Sequence, residues 1–378
     1  MNRHAITPRE NWQARVERDG LIWHTAGGAP YWNEAAYYDL TPTEIDEIET
    51  ATGELYRMFV SAGQYVVDKQ VFGRFGIPQW CWPLITKAWN AEPPALNYGR
   101  FDLGYDGVSP PKLFEFNCDT PTSLLEAAVI QWAWKEDVFP HLDQFTSLHD
   151  KLVAKWGDIA PYLAPGPVYF AHALDASGED AVTTAYLMDT ARASGLEAMG
   201  IVMTDIGLAP DGGFVDMQAR EMRTIYKLYP WEWMVQEAFG PKLAANDRTT
   251  WIEPIWKMIW SNKAILPILW DMYPRHPNLL WASYDQVASA NYVRKPILSR
   301  EGANIEIFRN GQSVAQRDGA YGYSPTIYQG LFELPDFAGA RPVIGSWVVD
   351  GAPAGMGIRE DGLITGNLSR FVPHVIRA

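Results

Sequence analysis

YGRFDLGYDGVSPPKLFEFNCDTPTS, residues 98–123, reads as two short strands folded back over a turn. Both arms alternate, with Phe101 and Leu103 on the first and Phe114 and Phe116 on the second, the period-two spacing of a half-buried strand pair. A symmetric reversal over residues 106–111 sets Arg100 opposite Asn117 and Asp102 opposite Glu115. These four polar residues then share one face, and the four apolar ones share the face that a core covers. Two carboxylates held opposite each other repel unless something cationic sits between them, and the oxygen-rich trio Asp102, Glu115 and Asn117 suits a hard Mg²⁺ ion. Arg100 beside them supplies a fixed positive group for a phosphate or a developing oxyanion. An ordinary amphipathic hairpin with a solvated polar face is the competing reading. Against it stands the continuation FEFNCDTPTS, in which Asp119, Thr120, Thr122 and Ser123 lead into a helix with the make-up of an anion-binding strand-to-helix turn.

Outward from this hairpin, a chain of 378 residues exceeds what one growing core accommodates, so two or three lobes sharing a site are expected. Its net charge of -14 argues against a nucleic-acid partner, because no cluster of Lys and Arg offsets a phosphate backbone. Only Cys81 and Cys118 occur, too few for a disulfide framework, and the opening residues lack an apolar signal region. A cytoplasmic protein with no membrane span is expected.

Helical periodicity covers residues 41–74, beginning at a Thr41 or Thr43 cap, then residues 77–89 and 122–138. PVYFAHAL, DAVTTAYLMDTARASG and LEAMGIVM read as strand, helix and strand, a βαβ unit followed by a turn at residues 210–213 and ending before Lys227. We expect residues 161–226 to form a small α/β lobe inserted into an α+β body made of residues 1–160 and 227–378. Strands follow near residues 291–298, 304–309, 327–334, 342–349 and 354–359.

Several further side chains draw attention singly. Lys295 shares a strand parity with Val293 and so points with the apolar face, where a lysine is seldom structural. For Lys263, in SNKAILP, a solvated helix end is the alternative to a binding role, and for Arg359 the alternative is surface pairing with Glu360 or Asp361. Lys227, Tyr229, Trp231 and Glu232 in KLYPWEW border an acyl-acceptor pocket or simply pack. His172, His276 and His374 lack ligand spacing and read as structural, and Cys118 has no neighbouring base to activate it.

Taken in order, RFD, FEFNCDTPTSLLE, KLYPWEWM, SNKAILPILW, YVRKPILSREGANI, IYQGLF and GMGIRED resemble the glutathionylspermidine synthase family through nearly the whole chain. The resemblance is to a stand-alone synthetase half without the amidase half. It implies an α/β ATP-grasp fold, ATP and two Mg²⁺ ions, and an amide bond formed from a carboxylate through an acyl phosphate. Carried over, it makes Asp102, Glu115 and Asn117 the Mg²⁺ ligands, with Arg100 and Arg359 as the catalytic cations near the reacting groups. Lys263 and Lys295 would hold ATP phosphates beneath a loop formed by Arg300, Glu301 and Gly302. Gln329, Gly330, Leu331 and Phe332 would form the adenine hinge, with Leu363, Ile364 and Thr365 close by. Thr120 and Thr122 would face a peptide acid, and Glu179 and Asp180 an amine such as a polyamine; Lys227 and Glu232 complete the substrate set.

This chemistry has physical needs that those residues meet. Phosphorylating a carboxylate brings two anions together, so metal ions and two or three side-chain cations must neutralise them. The acyl phosphate must then be shielded from water until the amine arrives, a task for a Gly-containing lid such as SREGAN. A nucleotide sensor that keeps the fold but no longer ligates, and a phosphotransferase that stops at a phosphate ester, are the rival readings.

Overall fold

The computed structural model describes residues 1–366 and 369–377. The hairpin is formed by Tyr98–Gly104 and Lys112–Asn117, with Arg100 opposite Asn117, Phe101 opposite Phe116 and Asp102 opposite Glu115. Past Asp102 the register slips by one residue, so that Leu103 faces Leu113 and Gly104 faces Lys112. Phe114 is the extra residue of this bulge, and a one-residue slip reverses the facing of everything beyond it. Leu113 therefore joins Phe101, Leu103 and Phe116 in the core. Phe114, expected on that core face, turns instead into the cleft on the other side of the sheet.

A second effect of the bulge is to leave backbone carbonyls outside the ladder, where side chains reach them. Gln329 Nε2 donates to the Leu113 carbonyl at 2.9 Å, and Lys295 Nζ to the Phe114 carbonyl at 3.3 Å. The irregularity in one sheet is thus the point at which a second sheet is tied to it.

The apolar face of the hairpin packs on the helix Pro42–Lys69. Thr41 caps this helix with a reciprocal Glu44 box, Pro42 fits its first turn, and Ile45, Ile48, Leu55, Phe59 and Val66 form its buried stripe. Phe59 meets Phe101 and Phe116 edge-on at 5.5 and 5.0 Å, while those two rings stack at 3.8 Å. Each such buried side chain contributes roughly 1.5–3 kcal/mol of transfer free energy, so this seam holds the polar face of the hairpin in place.

Two antiparallel five-stranded sheets face the site. The first runs Arg370–Val372, Ala352–Asp361, Arg341–Val349, Tyr98–Gly104 and Lys112–Asn117. The second runs Ala282–Ser283, Thr326–Gly330, Tyr292–Pro296, Glu306–Arg309 and Gln312–Gln316. A third, four-stranded sheet is wholly parallel, in the order Thr250–Ile252, Thr224–Leu228, Val168–His172, Ala198–Val202, and contains the expected βαβ unit with its helix Glu179–Ala193. The strand Thr224–Leu228 crosses the edge expected before Lys227 and pairs with Val168–His172 of the same sheet.

The helix expected over residues 122–138 contains one wide turn at Glu126–Ile130 before the regular segment Gln131–Val138. The Ala127 carbonyl, a natural acceptor for the backbone one turn on, is occupied by the side chains of Gln131 at 2.8 Å and Thr146 at 3.3 Å. That competition accounts for the local widening. Among the described residues, no helix is long and apolar enough to cross a membrane.

Candidate active site

Between the two five-stranded sheets lies a cleft of about 1240 Å³, counted with the solvent at its mouth. One wall carries Arg100, Asp102, Phe114, Glu115, Asn117, Val343 and Arg359, and the other carries Val293, Lys295, Ile307, Gln329 and Gly330. The cleft divides by chemistry. One end is an apolar slot of Phe114, Val293, Ile307, Phe332, Leu334 and Val343, with Gln329, Gly330 and Leu331 also in the lining. The other end is charged.

There the register places Asp102 and Glu115 opposite each other, and four cations compensate them. Asp102 receives Arg100 Nε at 2.6 Å and Nη2 at 3.1 Å, and Arg359 Nη2 at 2.6 Å from the far side. Lys263 Nζ lies 3.0 Å from Glu115. Burial alone raises the Glu115 carboxyl, but Lys263 and Lys295, with hydrogen bonds from Lys263 and Asn117, hold it down at about 2. Burial lowers the Lys295 ammonium to about 8, against the pull of Glu115. Asn117 Nδ2 donates to Glu115 at 3.2 Å and to Asp102 at 3.4 Å.

Local structure explains each placement. Arg100 crosses the neighbouring strand at Gly345, where a Cβ would stand 2.7 Å from its Cδ, and its Nη1 donates to the Thr122 carbonyl at 2.6 Å. Arg359, on Ala352–Asp361, does not pair with the adjacent Glu360. Glu360 faces the other way, buried against Arg3, Tyr38 and Arg370. Lys263 is no solvated helix end: it is buried and donates to the Ser299 carbonyl at 2.7 Å. Lys295 is likewise buried and donates to Gln329 Oε1 at 2.7 Å.

Over the charged end sits the loop after Tyr292–Pro296. Arg300 joins Thr120 Oγ1 at 3.0 Å and Glu232 at 2.7 Å and lies over Trp233, tying the loop to both the strand-to-helix turn and the KLYPWEW segment. Glu301 and Gly302 both have positive φ, and a Cβ on Gly302 would stand 2.6 Å from the Thr365 carbonyl. The 299–302 loop and residues 363–365 therefore touch along one lip of the cleft, to which Glu301, Leu363 and Ile364 also contribute.

Of the residues expected at the site, the cleft gathers the metal set, both arginines, the nucleotide set, Thr120 and Thr122. Glu232 lines a smaller adjoining pocket of about 490 Å³. Lys227 does not reach either one. It is fully buried, 2.6 Å from Asp119 and 2.9 Å from the Tyr229 carbonyl. Burial pushes the Asp119 carboxyl up and the Lys227 ammonium down, and their close contact, with the Trp231 N–H on Asp119 at 2.8 Å, offsets that cost. Lys227 thus anchors the 118–122 turn from behind rather than facing a substrate, because its strand is central to the parallel sheet. Glu179 and Asp180 are half-buried at the start of the helix Glu179–Ala193. Burial, then the charges of Glu126, Asp180 and Asp175, raise Glu179 to about 8, and burial with Asp175 raises Asp180 to about 6.

Of the apolar slot, Phe332 was singled out in the sequence as part of the adenine hinge, whereas Phe114, Val293, Ile307, Leu334 and Val343 were not singled out as site residues. Val293 carried a signal, its parity with Lys295. Phe114 carried a misleading one, since nothing local announces the bulge.

The chain matches the family model described as glutathionylspermidine synthase preATP-grasp over residues 3–377. It is 38% identical over 364 residues to a Haemophilus influenzae protein provisionally named an acid–amine ligase, covering 93% of this chain and 92% of that one. It is 33% identical over 353 residues to the trypanothione synthetase of Crithidia fasciculata, covering 84% of this chain and 53% of that protein, so it spans about half of that relative's length. Among solved structures, a glutathione synthetase-like effector from Globodera pallida superposes with a TM-score of 0.58 at 10% identity, covering 97% of this chain and 96% of that one, which supports the fold. With a match from one end of the described sheets to the other, the chain belongs to the glutathionylspermidine synthase family and has its ATP-grasp type of mixed α/β fold.

Proposed function

We propose that this ATP-dependent C–N ligase activates a carboxylate as an acyl phosphate in the cleft and transfers the acyl group to an amine. The observation that carries this reading is the charged end of the cleft, where two opposed carboxylates are matched by Arg100, Arg359, Lys263 and Lys295 beside a slot with apolar walls. A flat base fits such a slot, and the triphosphate then extends over the cations. The donor set of Asp102, Glu115 and Asn117 fits a hard divalent ion: it is all oxygen once the Asn117 amide flips, and it holds no thiol or imidazole. Bound there, Mg²⁺ would neutralise the β- and γ-phosphates and the attacking carboxylate.

The chain's own groups do the rest. Lys263 and Lys295 bind phosphate oxygens, the first from the helix side and the second from the second sheet. Arg359 has one N–H group committed to Asp102, and its remaining donors are without a protein partner among the described residues. It is the cation best placed to follow charge onto the transferred phosphoryl group and the tetrahedral oxyanion. Arg100, held by two hydrogen bonds to Asp102 and one to the Thr122 carbonyl, orients rather than moves. The 299–302 loop excludes water while the acyl phosphate exists. Thr120, Thr122 and Glu232 face the acid, and the acidic start of Glu179–Ala193 faces the amine.

The test uses the wild-type chain with ATP, Mg²⁺, glutathione as first acid and a panel of polyamines and diamines led by spermidine. Expected are ADP release and, with hydroxylamine in place of the amine, a hydroxamate, both absent from Glu115→Gln. A phosphate ester in place of the hydroxamate would reassign the chain to the phosphotransferases, and ATP binding without turnover for every acid tried would make it a sensor.

A further inference from the structure

The strand-to-helix turn after the hairpin has the make-up of an anion-binding turn, yet two of its backbone N–H groups are already engaged within the protein. Ser261 Oγ accepts the Asp119 N–H at 2.8 Å and the Cys118 N–H at 3.2 Å, and stands 3.3 Å from Cys118 Sγ. With both lone pairs taken by backbone donors, the hydroxyl proton is left for the sulfur. The Asp119 carboxylate is held from the other side by Lys227 Nζ at 2.6 Å and the Trp231 N–H at 2.8 Å. Cys118 and Asp119 are both buried, so an N–H deprived of Ser261 would lose its partner in a place where that is costly.

These contacts join the two segments that carry the charged end of the cleft. Asn117 directly precedes the clamped pair and Thr120 directly follows it, while Lys263 stands two residues beyond Ser261. Lys263 Nζ lies 3.0 Å from Glu115, so residues 261 and 263 of one segment meet residues 118–119 and 115 of the other. Two points of contact fix the register between the segments, as one could not. The 261–263 segment is itself held firmly. Asn262 Nδ2 donates to the Phe75 carbonyl at 2.9 Å, its Oδ1 accepts the Ala264 N–H at 2.9 Å, and the Lys263 N–H meets the Ile297 carbonyl at 3.0 Å. Ser261 therefore carries a fixed point on the side of Lys263 across to the hairpin, and both segments line the smaller pocket beside the cleft.

We infer that Ser261 is a positioning residue for the metal site: its hydroxyl holds the Cys118 and Asp119 peptide groups so that Asn117 stays beside Asp102 and Glu115 and in line with Lys263. The inference rests on the reading above of Asp102, Glu115 and Asn117 as the Mg²⁺ ligands. Ser261 acts through the main chain. The Cys118 nitrogen belongs to the same planar peptide group as the Asn117 carbonyl, so holding that N–H fixes the plane in which the Asn117 backbone ends. The Asn117 amide now donates to Glu115 at 3.2 Å and to Asp102 at 3.4 Å, and must present its oxygen to an ion. On a fixed main chain that change is a rotation of the side chain alone. Lys227, by contrast, holds the Asp119 side chain and leaves the Asn117 peptide free.

Mn²⁺ takes the same oxygen ligands and is visible by electron paramagnetic resonance, so it reads the site without turnover when titrated into the protein with a non-hydrolysable ATP analogue. Ser261→Ala should weaken Mn²⁺ binding roughly tenfold and raise the Mg²⁺ midpoint of ADP release by a similar factor. Ser261→Thr keeps the hydroxyl and should stay within about threefold of wild type. The melting temperature of each variant is recorded alongside. A lower melting temperature with wild-type Mn²⁺ affinity in Ser261→Ala would make the hydroxyl merely structural and overturn the inference. So would a folded Ser261→Thr that loses binding as fully as Ser261→Ala. Should Ser261→Ala not fold, Ser261→Cys decides: its sulfur is a weaker acceptor, an intermediate loss of about threefold to fivefold is expected, and unchanged affinity overturns the inference. Glu115→Gln separates the two layers of the argument. If the wild type binds no Mn²⁺, or Glu115→Gln binds it equally well, the metal reading of the hairpin falls and the role of Ser261 with it. If Glu115→Gln abolishes binding while the Ser261 variants keep it, the role of Ser261 falls alone.

Discussion

The cleft between the two five-stranded sheets and the acidic region of Glu126 and Glu179 are neighbours with opposite electrostatics. In the first, two carboxylates are surrounded by four cations, and Glu115 is held at about 2. In the second, five acids (Glu126, Asp175, Glu179, Asp180 and Glu301) act on one another with the guanidiniums of Arg100 and Arg300 at the margin, and Glu179 rises to about 8. The difference shows what each region awaits. A site with surplus cations is prepared for anions, the phosphates and the acid, while a site with surplus protonatable acid is prepared for a cation. The Arg100 side chain, bonded to Asp102 on one side and acting on Glu126 on the other, separates the two.

The largest test of this division is Glu115→Gln, which removes a carboxylate opposite Asp102 and leaves Lys263 and Lys295 without their partner. ADP release should fall roughly a thousandfold or more, with circular dichroism unchanged. Retention of activity would mean that the hairpin does not hold the metal. Arg359→Ala comes next: loss of an unsaturated cation at the transferring group should cost roughly a hundredfold to a thousandfold in kcat with little change in the KM for ATP. Arg359→Lys should recover only part, because a point charge cannot keep Asp102 and the phosphoryl group together. A rise in KM with kcat intact would instead make Arg359 a binding group.

Gly345→Ala probes the geometry rather than the charge. A Cβ 2.7 Å from Arg100 Cδ forces the guanidinium aside, and roughly a tenfold to hundredfold loss of kcat is expected at nearly unchanged stability. Wild-type kinetics would show that the exact path of Arg100 is unimportant. The smallest effect belongs to the acidic region. Glu179 has a raised folded-state pKa, so the folded protein binds its proton more tightly than the unfolded chain does. The stability this brings is present below the ordinary carboxylate range and is lost as pH rises toward 8. Glu179→Gln should match wild type near pH 4 and exceed it by about 1–3 kcal/mol above pH 8, read by chemical denaturation at each pH. Parallel curves would place Glu179 in solvent, without the neighbours proposed for it.

Local pattern made much of this legible. Alternation and facing polar residues announced the hairpin and its inner pairs, Arg100 with Asn117 and Asp102 with Glu115, because side-chain period and strand reversal are short-range properties. Thr41, Pro42 and Glu44 announced the helix behind it for the same reason. Lys295 was legible from parity with Val293.

What tertiary structure alone decided are the features that need a partner far along the chain. The bulge that turns Phe114 into the cleft exists where Gln329 and Lys295 arrive to take the carbonyls of Leu113 and Phe114. Lys227 is inward because its strand lies between two others, a fact of sheet order that its own neighbours in sequence do not encode. Glu126 became notable only when Tyr31 and Trp23, distant in sequence, closed around it. Sequence by itself determined which residues carry charge and which face of a strand they share; the enclosure that sets the energy of each charge comes from packing between elements.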